Sequence, residues 1–412
     1  MMTFMPAFID SLLPLIMEYS LYAMVLSLGI SKALVEISIT ALLISWWAYS
    51  LTRKNPILWP PRLILLLMAG FLATAMISLT YNHAWDHNGL RGMLKWSKYL
   101  AVYVVSVDLF QNPKIKSRAI YLFLIAMAVI SFNGFFQLKF GYDFLRHQEL
   151  HPGRIVRIQS SLGSPNQLAA FYLISIPLSF GAWNQAPSVQ KKFLFGLIFS
   201  ILSIGLILTF SRSAFYALAF IFLADLLRRK KRIYLLTSLG IMILALVTIP
   251  PLKHNYLKSI QQKDLSLVNR MEYWKVSWKM IQKNPWLGVG LNQYYSKAPE
   301  TRDSEGAYRG YAHNSYLQLW AEGGLPAVLF FIALVISIMM LKPVSGNLDP
   351  LKKNIPWERE LALGLGAFLI QACFDNNLYA LQSIVLFWLM IGGFTALKIY
   401  SPTQEAAFRD DE

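Results

Sequence analysis

The chain has 412 residues, of which 56% are hydrophobic and only 15% are charged, whereas about a quarter of the residues in a soluble protein carry a charge. A soluble fold with a mean hydropathy of +0.44 cannot cover its surface with polar groups, so disorder, a coiled coil and a compact soluble enzyme are excluded. The net charge of +16 fits basic loops and contact with anionic lipid or phosphate, and no nucleic acid is expected as a partner.

Apolar runs of about 20 residues predict an all-α polytopic membrane protein with about twelve transmembrane helices. Nine spans are expected within 1–251, interrupted by a loop at about 138–165, and three within 315–400; a large loop occupies 252–314 and a tail 401–412. The predicted spans lie near residues 10–30, 33–51, 62–80, 89–110, 117–137, 166–184, 193–210, 212–228, 232–251, 315–341, 359–378 and 380–399.

Basic residues predict the orientation in the membrane, because they concentrate in alternate short loops. These basic segments lie at 53–62, 114–118, 191–192, 228–232 and 342–359. The positive-inside rule places them, together with both termini, in the cytoplasm. The segments 138–165 and 252–314 then fall on the opposite, periplasmic side, since long loops translocate largely regardless of their charge.

In the fourth predicted span, Arg91, Lys95 and Lys98 are spaced i, i+4 and i+7 and therefore share one helix face. A basic stripe this deep needs a partner or a water-filled cavity. No carboxylate is spaced locally to pair with it, which favours a functional over a structural interpretation. We therefore include all three residues as candidates for substrate binding.

The predicted loop at 138–165 contains Arg154 and Arg157, which flank a Gly-Ser-Pro-Asn stretch ending at Asn166. Arginines in a loop are usually solvated surface groups. Asn166, however, stands where a helix begins, and amides at a helix start can face an anion. These three residues are further candidates for substrate binding.

A short hairpin between two spans contains Arg212, and a segment of the large loop contains Arg270. Arg212 suits either contact with lipid headgroups or an anion clamp, because a guanidinium offers paired donors to a phosphate. Taken alone, Arg270 is a surface arginine. It opens a predicted amphipathic helix on the membrane or over the bundle, whose apolar residues recur at helical spacing: Met271, Trp274, Trp278 and Ile281.

His313 and Asn314 open the tenth predicted span. A lone histidine at a helix start is more often structural than catalytic, but it can accept a proton near neutral pH. The pairs His83/His87 and His147/His151 lack the zinc-protease pattern. We therefore expect neither a metal nor a cofactor.

Taken together, five short segments resemble the O-antigen ligase and polymerase superfamily, bacterial membrane glycosyltransferases that use undecaprenyl-diphosphate-linked glycans. Their order and spacing cover about 160–325, whereas the first five spans match only in hydropathy. The segments are Gly163-Ser164-Pro165-Asn166-Gln167-Leu168-Ala169-Ala170; Phe210-Ser211-Arg212-Ser213; Asn269-Arg270 with Trp274; Asn284-Pro285-Trp286-Leu287-Gly288-Val289-Gly290; and His313-Asn314-Ser315-Tyr316 with Glu322-Gly323-Gly324.

The resemblance implies a GT-C-like fold with amphipathic helices in a large periplasmic loop. It implies that Arg212 and Arg270 bind the lipid diphosphate and that His313 activates the acceptor hydroxyl, without metal and with inversion at the anomeric carbon. The other candidates, including Asn314, come from this sequence and not from the resemblance. The hypothesis requires Arg212, Arg270 and His313 to meet in one pocket.

These features favour an O-antigen ligase that moves a glycan from undecaprenyl diphosphate to lipid A–core at the periplasmic face of the bacterial inner membrane. A compact length and one dominant loop favour a ligase over a polymerase, which would use a second lipid-linked glycan as acceptor. A lipid-linked oligosaccharide flippase is the next alternative, but no inverted repeat supports it. A non-catalytic scaffold leaves the basic stripe unexplained.

Overall fold

The computed structural model describes residues 4–53, 55–150, 156–228, 265–298, 311–343 and 357–399. The predicted span at 232–251, the candidate Arg154, the tail at 401–412 and parts of the predicted large loop lie outside these ranges. Their predicted roles are therefore left as predictions.

The described ranges are helical. They contain one 3-10 helix (Ser160–Leu162), and an isolated β-bridge joins Tyr142 to Glu149. The α-helices in chain order are α1 (Phe4–Ser27), α2 (Lys32–Thr52), α3 (Arg62–Tyr81), α4 (His87–Leu109), α5 (Pro113–Phe140), α6 (Pro165–Gln185), α7 (Val189–Leu208), α8 (Arg212–Arg228), α9 (Leu265–Lys283), α10 (Tyr294–Lys297), α11 (Ser315–Met339), α12 (Glu358–Gln371) and α13 (Leu381–Ile399).

Six of the helices, α2, α3, α5, α7, α11 and α13, are long and apolar enough to cross a bilayer. Large apolar side chains such as Leu66 and Phe193 are exposed on them, as expected where the surrounding solvent is lipid. An all-α polytopic membrane protein is therefore confirmed, whereas the number of twelve spans stays a prediction. The predicted span 359–378 differs from the structure, because α12 ends at Gln371.

Helix α13 forms the centre of the bundle, and nearly all of its side chains are buried. A helix that is apolar all round belongs in the interior. It packs closely on α4: a Cβ on Gly392 would lie 2.6 Å from the Cβ of Ser106. The hydroxyls of Tyr103 and Thr395 lie 3.1 Å apart between the two helices.

Ion pairs join the helices at the end where α4 finishes and α12 begins. Asp108 is buried and binds Arg53 at 2.8 Å, and Arg359 donates to Asp225 from another pair of helices. Arg53 and Arg359 both belong to the basic segments on which the predicted orientation rests. Buried pairs of this kind fix the relative positions of helices more than they add net stability.

Helix α9 confirms the helix predicted around Arg270, and its packed face matches the predicted one in part, because Ile281 is buried and Trp274 is half-buried. Met271 and Trp278 are about half exposed (49% and 48%), whereas Val276, Ser277 and Met280 are buried. The prediction followed the largest apolar side chains. In the structure the buried face is turned away from Met271 and Trp278, and it packs against a satellite core that is shared with the start of α11.

Helix α11 is broken at Gly324, where φ is +77°. The segment that follows α9 lies against this break: Leu325 donates to the carbonyl of Pro285 at 2.9 Å. A Cβ on Gly324 would lie 2.0 Å from the carbonyl oxygen of Trp286. Only glycine combines this backbone conformation with so close an approach.

The buried carboxylate of Glu322, two residues before the break, completes this junction. It accepts the amide of Asn292 at 2.9 Å and that of Tyr294 at 3.3 Å. Amide donors of this kind satisfy a buried carboxylate without a counter-ion. The segment between α9 and α10 is thereby held to α11, the helix that follows His313.

We predict that Gly324→Ala lowers the thermal unfolding midpoint of the purified protein more than Gly141→Ala does. Both glycines have positive φ, and strain of that kind costs about 1–3 kcal/mol. A Cβ on Gly141, however, meets nothing within 4 Å, so the difference between the variants reports the contact with Trp286. Equal midpoints would contradict the close contact between Gly324 and the segment that follows α9.

Candidate functional site

Two loops and three helices meet at the end of the bundle where α11 begins. The segment after residue 156 packs on the end of α7, where Ile158 donates to the carbonyl of Leu208 at 3.1 Å. Ser315 at the start of α11 donates to the carbonyl of Ala372, just after α12, at 2.8 Å. The segments that contain the predicted site residues are thus hydrogen-bonded to one another.

Arg157 is held from two sides. Its Nε donates to the carbonyl of Thr209 at 2.7 Å, and its Nη2 donates to Oδ1 of Asn166 at 2.8 Å. Asn166 lies in the first turn of α6, where Ser164 caps the helix and Pro165 favours its start. The side chain of Asn166, which the sequence analysis treated as a candidate for substrate binding, positions an arginine.

Arg157, Arg212 and Arg270 form what we call the arginine cluster. Burial lowers the pKa of Arg157 to about 10, and the positive charges of Arg270 and Arg212 act in the same direction, opposed by Asp375. The three guanidinium groups therefore interact through space although they come from three separate segments. Like charges held near one another repel, and a bound anion offsets that repulsion.

His313 lies beside a carboxylate that the sequence analysis did not select. Its Nδ1 is 3.5 Å from Oδ1 of Asp375, and the two side chains are 39% and 13% exposed. Burial raises the pKa of Asp375, but contact with His313 and the positive charges of His313 and Arg270 outweigh burial. The pKa of Asp375 therefore lies below its ordinary value, and the carboxylate is ionised at neutral pH.

Helix α9 contributes both a charge and a ring to this site. Arg270 interacts with Asp375, and one turn later the ring of Tyr273 lies 5.6 Å from the ring of His313, tilted by 36°. Residues three apart share a helix face, so α9 covers the histidine and supplies the arginine from the same side. The structure thus brings Arg212, Arg270 and His313 into one charged cluster.

Polar side chains connect the carboxylate of Asp375 to the interior of α11. The amide of Asn376 donates to Oδ1 of Asp375 at 2.8 Å, and its side chain donates to Gln318 at 2.7 Å. Gln318 in turn donates to Glu322 at 3.3 Å. This network fixes the turn between α12 and α13 against α11.

The basic stripe of α4 divides into two parts. Lys98 forms an ion pair with Glu36 of α2, so a distant carboxylate supplies the partner that local spacing did not. Within the described ranges, Arg91 and Lys95 form no such pair. Lys95 is half-buried and interacts electrostatically with Glu322, whereas Arg91 is exposed.

Asn314 caps α11, since its Oδ1 accepts the amides of Tyr316 and Leu317 at 3.0 Å each. The cap fixes where the helix starts and therefore where His313 stands. Within the described residues, no three His, Cys, Asp or Glu side chains form a group that could hold a metal ion.

Asp375 and Tyr273 are the site residues that sequence analysis missed. Asp375 falls inside the predicted span 359–378, and a carboxylate in an apolar segment is itself a functional signal. The same rule that selected the basic stripe would have selected Asp375. Tyr273 carried no signal beyond its position one turn after Arg270.

Comparison with known proteins shows similarity around this site. Residues 197–332 match the O-Antigen ligase family, a region that contains Arg212, Arg270 and His313. The predicted resemblance to the O-antigen ligase superfamily is confirmed. A ComP-specific O-oligosaccharyltransferase of Acinetobacter baylyi is 31% identical over 201 residues, which cover 45% of the chain. The aligned region spans 34% of that relative's length.

We predict that Asp375→Asn removes a pH-dependent contribution to stability. The folded-state pKa of Asp375 lies below its ordinary value of 3.8. Its ionised form therefore stabilises the fold above about pH 4, and this contribution is lost as the pH falls through the lower folded value. Thermal midpoints should differ between wild type and variant at pH 7, and the difference should shrink as the pH falls below 3.8.

The control for this measurement is Glu272→Gln, which removes a half-exposed carboxylate that pairs with Lys275 on the surface of α9. Exposed pairs contribute little, so this variant should match wild type at both pH values. A difference in thermal midpoint between wild type and Asp375→Asn that stays constant at all pH values would contradict a stabilising contact of the ionised Asp375 carboxylate with His313.

Proposed function

We propose that the chain is a glycosyltransferase that moves a glycan from undecaprenyl diphosphate to an acceptor hydroxyl. The observation that supports this most directly is the arginine cluster beside the His313–Asp375 pair. The match of residues 197–332 to the O-Antigen ligase family supports the same class of reaction.

The charge of the site suits a diphosphate. Three arginines gather around one aspartate, and a glycosyl diphosphate brings a complementary negative charge. Guanidinium groups present paired donors to phosphate oxygens. Placed in advance, they stabilise the charge that develops on the departing diphosphate, and this is the largest requirement of such a transfer.

His313 suits the role of general base. Asp375 beside Nδ1 favours the tautomer that carries its proton there, which leaves Nε2 to accept a proton. As the acceptor oxygen attacks the anomeric carbon, its proton passes to His313. The bond from that carbon to the diphosphate breaks, and its electron pair leaves with undecaprenyl diphosphate. A single displacement from the opposite side inverts the anomeric carbon.

The location that we propose is the periplasmic face of the bacterial inner membrane, with both termini in the cytoplasm. Arg53 and Arg359, which the positive-inside rule assigns to the cytoplasm, lie at the end of the bundle opposite His313. The polyprenyl tail of the donor would lie between helices in the lipid, and the diphosphate at the membrane surface.

For the acceptor we propose a hydroxyl of lipid A–core, as in an O-antigen ligase. A second lipid-linked glycan, as in a polymerase, uses the same chemistry. The Acinetobacter baylyi relative is named a ComP-specific O-oligosaccharyltransferase, so the hydroxyl of a third, dedicated acceptor is a further candidate. The three acceptors share one base and one diphosphate site.

We predict that His313→Asn lowers glycan transfer by about 10²–10⁴-fold, the usual contribution of a general base. Asparagine tolerates the positive φ of 46° at this position but cannot accept the proton. The assay uses purified protein, a synthetic undecaprenyl-diphosphate oligosaccharide and the three acceptors side by side, with EDTA present.

The matched control is His147→Asn, because His147 also has positive φ (53°) and its ring stacks on Tyr142. It should transfer at the wild-type rate. Full activity of His313→Asn, or loss of wild-type transfer in EDTA, would contradict the mechanism. Movement of the donor across a bilayer without transfer would favour a flippase.

We predict that inorganic pyrophosphate raises the thermal midpoint of the wild-type protein in EDTA. A ligand at about 100 times its Kd stabilises the folded state by about 2.7 kcal/mol. Arg212→Gln and Arg270→Gln should each lose most of this shift. Lys283→Gln, about 20 Å along α9 from Arg270, should keep it; an equal shift in all four proteins would contradict a diphosphate site at the arginine cluster.

A further inference from the structure

We propose that Tyr295, Tyr311 and Arg91 form an acceptor subsite that binds a sugar ring carrying a negatively charged substituent. This inference rests on the proposed function, since it assigns the acceptor side of the same site. It concerns residues that the catalytic mechanism above does not use.

The two tyrosines, which we call the tyrosine pair, form an exposed aromatic corner. Their ring centroids are 6.2 Å apart, the rings are inclined at 45°, and each side chain is 50% exposed. The apolar C–H face of a sugar ring packs on an aromatic face, and the phenol hydroxyl adds a hydrogen bond at the edge. Two rings at an angle can contact one sugar from two directions.

The position of Tyr295 is fixed by its neighbour. Tyr294 points inward, where it is buried and its hydroxyl lies 2.7 Å from that of Ser277 on α9. The preceding residues are tied to the start of α4: Asn292 donates to the carbonyl of Asn88 at 3.0 Å. Tyr295 is therefore presented outward by a short helix that is anchored on two sides, which lowers the entropy cost of binding.

Arg91 places a positive charge beside this corner. It is exposed and interacts electrostatically with Tyr311. The next residue, Gly92, packs so closely that a Cβ there would lie 2.9 Å from the carbonyl oxygen of Leu291, which brings α4 against the segment before α10. Lys95 lies one turn further along the same face, so the positive charge extends into the site.

The geometry of the reaction assigns this subsite to the acceptor. Tyr311 is two residues before His313, at most about 7 Å away along the chain. Its electrostatic partners are Glu322, Tyr295 and Arg91, whereas Asp375 interacts with His313 and Arg270. The tyrosine pair and the arginine cluster therefore have separate electrostatic partners near His313. An in-line attack brings the acceptor from the side opposite the diphosphate, and the proposal assigns that side to the tyrosine pair.

The test compares binding of two free sugars to the full-length chain in lipid nanodiscs, by saturation-transfer NMR and equilibrium dialysis. The probes are a disaccharide that ends in glucuronate and its neutral glucose analogue. Wild type should bind the glucuronate probe about tenfold more tightly. Arg91→Gln should abolish this preference, and Tyr311→Ala should weaken both probes about tenfold, whereas Tyr311→Phe should retain most of the affinity.

Two controls remove side chains of the same types away from the subsite. Tyr81 is an exposed tyrosine at the end of α3, and Lys283 is an exposed cation at the end of α9. Tyr81→Ala and Lys283→Gln should bind both probes as wild type does. Equal affinity of wild type for the two probes, or unchanged binding by Tyr295→Ala and Tyr311→Ala, would overturn the proposal.

A kinetic arm separates this inference from the proposed function. With the donor saturating, Arg91→Gln and Tyr311→Ala should raise the acceptor KM about tenfold and leave the donor KM unchanged. A raised donor KM would overturn the assignment to the acceptor side. If wild type binds the glucuronate probe but transfers no glycan, the proposed function fails while the sugar subsite stands.

Discussion

Repulsion among the guanidinium groups of Arg157, Arg212 and Arg270 is the constraint around which the site is built. Three cations from separate segments do not gather in a partly buried place unless the chain holds them there. Hydrogen bonds from Arg157 to Thr209 and Asn166 supply part of that restraint. Asp375 offsets part of the charge, and the remaining positive charge makes the site suited to an anion.

The break in α11 connects this charged site to the rest of the fold. Because Gly324 lets the segment after α9 approach the helix axis, the carboxylate of Glu322 can hold the amides of Asn292 and Tyr294. The helix that begins beside His313 therefore also fixes α10 and the end of α9. One packed junction positions the base, the covering helix and the tyrosine pair together.

The sequence predicted those parts of the site that depend on local signals. Arg212, Arg270 and His313 lie in short segments with recognisable residue patterns. The structure brings them near one another, and their roles stay predictions. Asp375 was not predicted because averaging hydropathy over about 20 residues conceals one carboxylate in an apolar run. The ion pair between Lys98 and Glu36 joins residues 62 apart, so no helical spacing rule could have found it.

Helix α9 carries both the arginine that lies near Asp375 and the tyrosine ring that covers His313. Arg270 and Tyr273 are one turn apart on the same helix. Any rotation or translation of α9 therefore displaces the guanidinium of Arg270 and the ring of Tyr273 together. Displacement of α9 would expose the imidazole of His313 and would also remove the positive charge of Arg270 from the site. Access to the imidazole and the positive charge beside it therefore both depend on the position of α9.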